Sequence, residues 1–148
     1  MQKNDLPIQD EYFPLIRIKF QLTGDKFDID NVTKQLGLQP SRTRKKEEWP
    51  ISTINAGLAG DLWQLNTICV TSKCVNEQFK ILLNNLYGKE NIINKLCKEY
   101  DLSTQFEVVI HAVETNSPAI VLDKDVIKFL ASIDSDVGFD LYIYPEEE

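Results

Sequence analysis

Residues 15–22 read Leu-Ile-Arg-Ile-Lys-Phe-Gln-Leu, and the strict alternation of this run constrains the fold more than any other feature of the chain. Ile16, Ile18, Phe20 and Leu22 fall on one side, and Arg17, Lys19 and Gln21 on the other. Side chains alternate across a strand with a period of two, so the run predicts a β-strand with one dry and one wetter face. Thr23-Gly24-Asp25-Lys26 is turn chemistry, and a short helix is expected to follow. Asp28 is its expected N-cap, with Phe27 and Val32 as a hydrophobic staple. Gly37 is the expected C′ residue, and Pro40 prevents continuation.

The remaining periodicities extend this pattern. Residues 62–70 read as a second strand, with Trp63 and Leu65 on one face and Trp63 a candidate for an exposed position. Phe79, Leu82, Leu83 and Leu86 recur at helical spacing, and Gly88 separates that helix from one carrying Ile92, Ile93, Leu96, Cys97 and Tyr100. Residues 106–113 are apolar enough for a central strand. Asp123 is expected to open a last helix, with Val126, Ile127, Leu130 and Ile133 inward. Phe139, Leu141 and Ile143 are expected on the inner face of a final strand, which turns Asp140, Tyr142 and Tyr144 outward. The start of the last helix echoes that of the first (Leu122-Asp123 against Phe27-Asp28), which a shared capping device explains. Residues 39–61 show no period. A loop of that length within a compact domain either serves a function or contains structure of its own.

The predicted order is β-α-β-α-α-β-α-β. Strands interleaved with helices, with wet outer faces on the first and last strands, predict an α+β fold. The expected form is a single four-stranded, mainly antiparallel sheet with helices on one face, in a ferredoxin-like or related split arrangement. With 148 residues one domain is expected, over residues 13–145, between a polar arm (1–12) and an acidic tail (146–148). No apolar run approaches the length of a membrane span, and the first residues lack the apolar core of a signal peptide, so a soluble cytoplasmic protein with no membrane association is expected.

Catalytic chemistry has little to rest on. No phosphate loop, nucleophile elbow, HExxH or paired zinc ligands occur. Cys69, Cys74 and Cys97 have no CxxC spacing, and Cys69 and Cys97 fit core positions as small hydrophobes. His111 is the only histidine. Asp25, Asp28 and Asp30 cluster, but the turn and the cap account for the first two and the calcium-loop pattern is incomplete. No enzyme activity, metal or cofactor is expected.

Charge is distributed unevenly. The net charge is −7, which disfavours general nucleic-acid binding. Residues 114–148 hold nine acidic and two basic residues, a net charge equal to that of the whole chain. Asp134, Asp136 and Asp140, with Tyr142 and Tyr144, are therefore the expected partner-binding residues, because the last strand and the loop before it bring them together. By contrast, Arg42, Arg44 and Lys45 lie beside Trp49. Arginine binds phosphate or carboxylate bidentately and tryptophan stacks on planar groups, so these four are the candidate ligand-binding residues of an alternative reading. The bland reading of that loop is a solvated charged segment with Trp49 tucked into the core edge.

One stretch carries a resemblance. Gly24-Asp25-x-Phe27-Asp28-x-Asp30-x-Val32-Thr33-x-x-Leu36-Gly37-Leu38-x-Pro40, followed by Arg44-Lys45 and Trp49, resembles a bacterial family known as domain of unknown function 4279. Trp63-x-Leu65 and the ending Asp140-Leu141-Tyr142-Ile143-Tyr144 fit the same pattern, so the resemblance spans residues 14–144. Lys46-Glu47-Glu48 stands where a looser, glycine-containing loop is expected. The resemblance implies a small soluble bacterial domain and supplies no reaction, cofactor or catalytic residue. Small acidic proteins of this kind are also similar to immunity proteins, which neutralise a toxin by binding it. The leading expectation is thus a non-enzymatic binding protein of the immunity type, acting on a basic toxin. The alternative is a small-ligand or nucleotide-binding module using the Arg42–Trp49 loop.

Overall fold

The structure, a computed structural model, describes residues 13–146. The proposed N-terminal arm (1–12) and the last two residues of the acidic tail lie outside the described residues. The alternating run forms β1 (Leu15–Gly24), and the whole sheet is arranged around it. Then come α1 (Ile29–Leu36), β2 (Arg42–Arg44), a 3-10 turn at Lys46–Glu48, α2 (Ile51–Asn55), β3 (Asp61–Asn66) and β4 (Val70–Thr71). The chain continues through α3 (Val75–Leu83), α4 (Glu90–Tyr100), β5 (Ser103–Val113), α5 (Lys124–Ser132) and β6 (Asp136–Tyr144).

The α+β class is observed, with two corrections. The sheet has six strands rather than four, because β2 carries no hydrophobic period by which to read it and the run read as one strand over 62–70 divides into β3 and the two-residue β4. It is also mixed rather than mainly antiparallel. The order is β2-β3-β1-β5-β6, β4 pairs with β1, and β6 runs parallel to β5 while the other pairings are antiparallel. In a split βαβ unit another strand separates the two parallel ones. Here α5 connects adjacent parallel strands, so the ferredoxin-like expectation does not hold.

The core lies on one side of the sheet. Ile16, Ile18, Phe20 and Leu22 are fully buried and pack with apolar residues of α1, α3, α4 and α5. At its centre Phe20 meets Trp63 edge-on at 6.2 Å and Phe106 at 5.0 Å, and Phe106 meets Phe79 at 5.2 Å. Trp63, a candidate for an exposed position, is buried and donates its indole N–H to Thr33 Oγ1 at 3.0 Å. It stands directly opposite Leu22 in the β1–β3 register, which turns it to the helix side. On α5, Phe129 is buried while Ile127, expected inward, is exposed.

Both expected caps form. Asp28 accepts from Asn31 N at 3.0 Å, and Gly37 closes α1 in the left-handed region with φ 67°. Asp123 accepts from Val126 N, from Asn76 Nδ2 and, at 2.6 Å, from Lys80 Nζ, which hold its carboxyl well below the usual carboxylate range. A group held low contributes stability above its unfolded pKa, 3.8 for aspartate, and loses it as pH falls. Asp28→Ala should cost ~0.5–2 kcal/mol. Asp123→Ala should lower the urea midpoint at neutral pH, and its difference from wild type should shrink in strong acid.

Candidate functional site

Two surfaces were expected to carry function, and the structure places them at opposite edges of the sheet. The first is the Arg42–Trp49 loop. Its organiser is Asp61, the first residue of β3, whose carboxylate is buried. One oxygen accepts from Lys46 N at 2.7 Å; the other accepts from Phe27 N at 3.2 Å and faces Lys45 Nζ at 3.7 Å. Lys46 Nζ pairs with Asp25, and Lys26 pairs with Glu47 at 2.9 Å. The Arg44 guanidinium lies 4.0 Å from the Trp49 ring centre and donates to the Glu48 carbonyl. Trp49 donates its indole N–H to the Gly60 carbonyl at 2.8 Å. Arg42 is exposed.

This loop therefore closes on itself and on the turn after β1. A cleft of about 430 Å³ opens beside it, between residues 57–60, the end of β1 and the start of β5. Of the four predicted ligand-binding residues, Trp49 lines that cleft, and Arg42, Arg44 and Lys45 do not. Asp61 is the residue that sequence reasoning missed. Its signal was slight, an acidic residue after Gly60 at the start of an apolar strand, and nothing local indicates that it gathers three cationic or N–H partners from elsewhere in the chain.

The second surface is the sheet face opposite the helices. Register places Arg17, Lys19 and Gln21 of β1 on it, with Glu107, Val109 and His111 of β5 and Gly138, Asp140 and Tyr142 of β6. His111 is buried beneath the tyrosines of β6. Tyr142 stacks on its ring at 4.6 Å and 10°, and Tyr144 lies nearly parallel at 6.0 Å, with its hydroxyl 2.9 Å from His111 Nδ1. Tyr142 is 43% exposed and donates its hydroxyl to Asp140 Oδ2 at 2.9 Å, which raises the phenol pKa. A small cavity of about 50 Å³ lies among Arg17, Lys19, Cys69, His111, Asp140 and Tyr142. Arg17 Nε is buried without a hydrogen-bond partner among the described residues.

The structure thus brings Asp140, Tyr142 and Tyr144 together, with His111 as their base. Asp136 shares their face but stands at the start of β6, about 26 Å along the strand from Tyr144 at ~3.3 Å per residue. Asp134 does not join them. It occupies the turn after α5 in the left-handed region, φ 52°, where its carbonyl accepts from Thr104 Oγ1.

Phe139, Leu141 and Ile143 require a correction. They do lie on the helix side, opposite Val108, Ile110 and Ala112, yet they are 43%, 50% and 54% exposed. The buried residues of α5, Val126, Phe129 and Leu130, go to the core cluster instead, and among β6 residues only Val137 packs against that cluster.

Metal chemistry has no evident seat: among the described residues no group of three or more His, Cys, Asp or Glu side chains could hold an ion. No helix among them is long and apolar enough to cross a membrane. Burial raises the thiol pKa of the half-buried Cys69 and Cys97.

A family model described as a domain of unknown function, DUF4279, matches residues 14–144. No curated protein and no solved structure matches the chain.

Two tests probe this geometry. Asp61→Ala leaves Phe27 N and Lys46 N unpaired, which should cost about 1–3 kcal/mol for each donor in urea unfolding. Lys45→Ala, which removes a half-exposed ammonium, should cost at most about 1 kcal/mol. His111 is held below its ordinary value of 6.5 by burial, so its contribution to stability is full above that pH and is lost as pH falls through and below it. Its ring resonances should titrate below 6.5, the urea midpoint should fall from neutral to mildly acid pH, and His111→Phe should remove that fall.

Proposed function

The chain belongs to the DUF4279 family, which assigns no activity, and we propose that it is a non-catalytic binding protein that docks a basic protein partner on the open sheet face at β6. The observation that carries this reading is the Asp140–Tyr142 pair, braced from below by His111 and continued by Tyr144. Tyrosine presents a large, rigid contact area with a polar tip, and contact surfaces are enriched in it. Here the Tyr142 ring is already fixed by stacking and by its hydroxyl bond, so little side-chain freedom is lost on binding. Asp136 and Asp140 add negative charge at the same edge, and the chain's net charge of −7 supports long-range steering of a cationic partner.

The partner class that fits is a toxin with a basic, nucleic-acid-binding cleft, which would make this an immunity-type protein. Binding an acidic face over such a cleft would exclude the substrate's phosphates. The Arg42–Trp49 loop is the weaker candidate for ligand binding. Arg44, Lys45 and Lys46 are engaged with Trp49, Asp61 and Asp25, so this loop is better read as a clasp that seats β2.

The test is surface plasmon resonance, at several salt concentrations, against any toxin encoded beside this gene; the absence of a toxin gene there would itself remove the immunity reading. Asp136→Lys with Asp140→Lys should slow association and flatten its salt dependence, and Tyr142→Ala should raise the off-rate. A neighbouring gene product that wild type neither binds nor neutralises would remove the immunity reading. Variants indistinguishable from wild type in binding would remove this face.

A further inference from the structure

The two ends of the sheet are built in opposite ways. At one end β2 is three residues long and carries Arg42 and Arg44, so charge and brevity protect its free edge. At the other, β6 is nine residues long, Asp136–Tyr144, and contains no lysine, arginine or proline. Among the described residues it pairs only with β5. A long, unguarded edge strand is a template for another strand. One of its faces is also apolar and exposed, through Phe139, Leu141 and Ile143.

We propose that a second copy of this chain pairs antiparallel with β6 about a two-fold axis at Leu141, joining two six-stranded sheets. The argument is the self-complementarity of the strand. Folding Gly138-Phe139-Asp140-Leu141-Tyr142-Ile143-Tyr144 about its centre sets Leu141 against Leu141, Phe139 against Ile143, and Asp140 against Tyr142. Directly opposed residues share a face in antiparallel pairing, so the apolar side chains meet on the helix side, and on the open side Asp140 stands opposite Tyr142 rather than a second carboxylate. Gly138 then stands opposite Tyr144 at the end of the paired segment. A one-residue shift of the axis to Asp140 would place two carboxylates opposite each other, which the strand avoids by centring on Leu141.

Backbone polarity agrees with this axis. The Tyr144 carbonyl accepts from Glu114 N, on the β5 side. Strand alternation then turns the N–H and C=O groups of Ile143, Leu141 and Phe139 to the edge away from β5, which no other described strand pairs with. With the axis at Leu141, those three residues exchange closely spaced hydrogen bonds with their counterparts. The interface is isologous, so it closes at two copies and leaves the short, charged β2 edges outside. It leaves the open face uncovered and does not depend on the partner reading above.

The experiment is sedimentation equilibrium of the full chain across the micromolar range, with enough salt to screen the like net charges. The expected mass at high concentration is twice the 17.0 kDa of the chain. Backbone amides of Phe139, Leu141 and Ile143 should gain hydrogen-exchange protection as the dimer forms and lose it on dilution. Leu141→Lys sets two ammonium groups across the axis and should raise the dimer dissociation constant at least about tenfold. Leu141 is half exposed, so the monomer should keep its circular dichroism. Ile51→Lys, an exposed apolar change on α2, should leave the dimer intact. A monomeric wild type overturns the proposal. So does a dimer indifferent to Leu141→Lys, or protection of the three amides that does not change with concentration, which would mean that the chain covers its own edge.

Discussion

The fold depends on β1 being hydrogen-bonded along both sides while only one of its faces is dry. Its alternation is matched by the register to β3 and to β5, with Phe20 facing Leu65 on one side and Phe106 on the other. A one-residue slip in either ladder would turn Ile16, Ile18, Phe20 and Leu22 toward the wrong face, so the strand fixes its neighbours as well as itself. The four main helices follow from that choice, because their apolar stripes have one dry surface to cover. What remains on the other face, Arg17, Lys19, Gln21 and their neighbours, is the surface on which a binding function can be built without weakening the core.

Asp61 plays the corresponding part for the irregular segment. Residues 39–61 have no period because they are ordered by the pairing of β2 with β3, by one short helix, and by contacts of one buried carboxylate and one indole. Asp61 holds the start of the 3-10 turn and the N–H of Phe27, and Trp49 holds the Gly60 carbonyl. A buried carboxylate is tolerable only when its oxygens are satisfied, and here backbone donors and a lysine satisfy them. This is also why a basic, tryptophan-containing loop misleads when read linearly. Composition suggests an anion site, while the contacts spend most of the cations on the fold itself.

Legibility followed the range of the interaction. β1, both caps and the spacing of α3 and α4 were readable, since periodicity and capping act within a few residues. Asp28 and Asp123 could be named because an N-cap needs only a neighbouring N–H. β2 could not, since three residues carry no period and exist only through pairing with a distant strand, and neither could the division of the 62–70 run into β3 and β4. The outward placement of Asp140, Tyr142 and Tyr144 followed from alternation alone. The stacking of Tyr142 on His111 did not, because it needs the parallel β5–β6 register that sets the two residues side by side. Asp134 is near them in sequence, but the turn between α5 and β6 holds it apart.

The exposed apolar face of β6 has a structural cause. The helix that connects two adjacent parallel strands ordinarily packs back over the pair and covers one of its faces. Here α5 is nine residues long and directs Val126, Phe129 and Leu130 to the core cluster already occupied by α3 and α4. Only Val137 of β6 shares that shelter. Beyond it the strand continues with β-branched, aromatic and leucine side chains at a spacing that would suit a buried position, and no described helix covers them. Such a strand combines high intrinsic sheet tendency with a hydrogen-bonding edge that no other described strand fills. A sequence that kept those residues apolar while placing Asp140 and Tyr142 between them retains two distinct surfaces on one strand, an aliphatic one toward the helix side and a polar, aromatic one toward the open face.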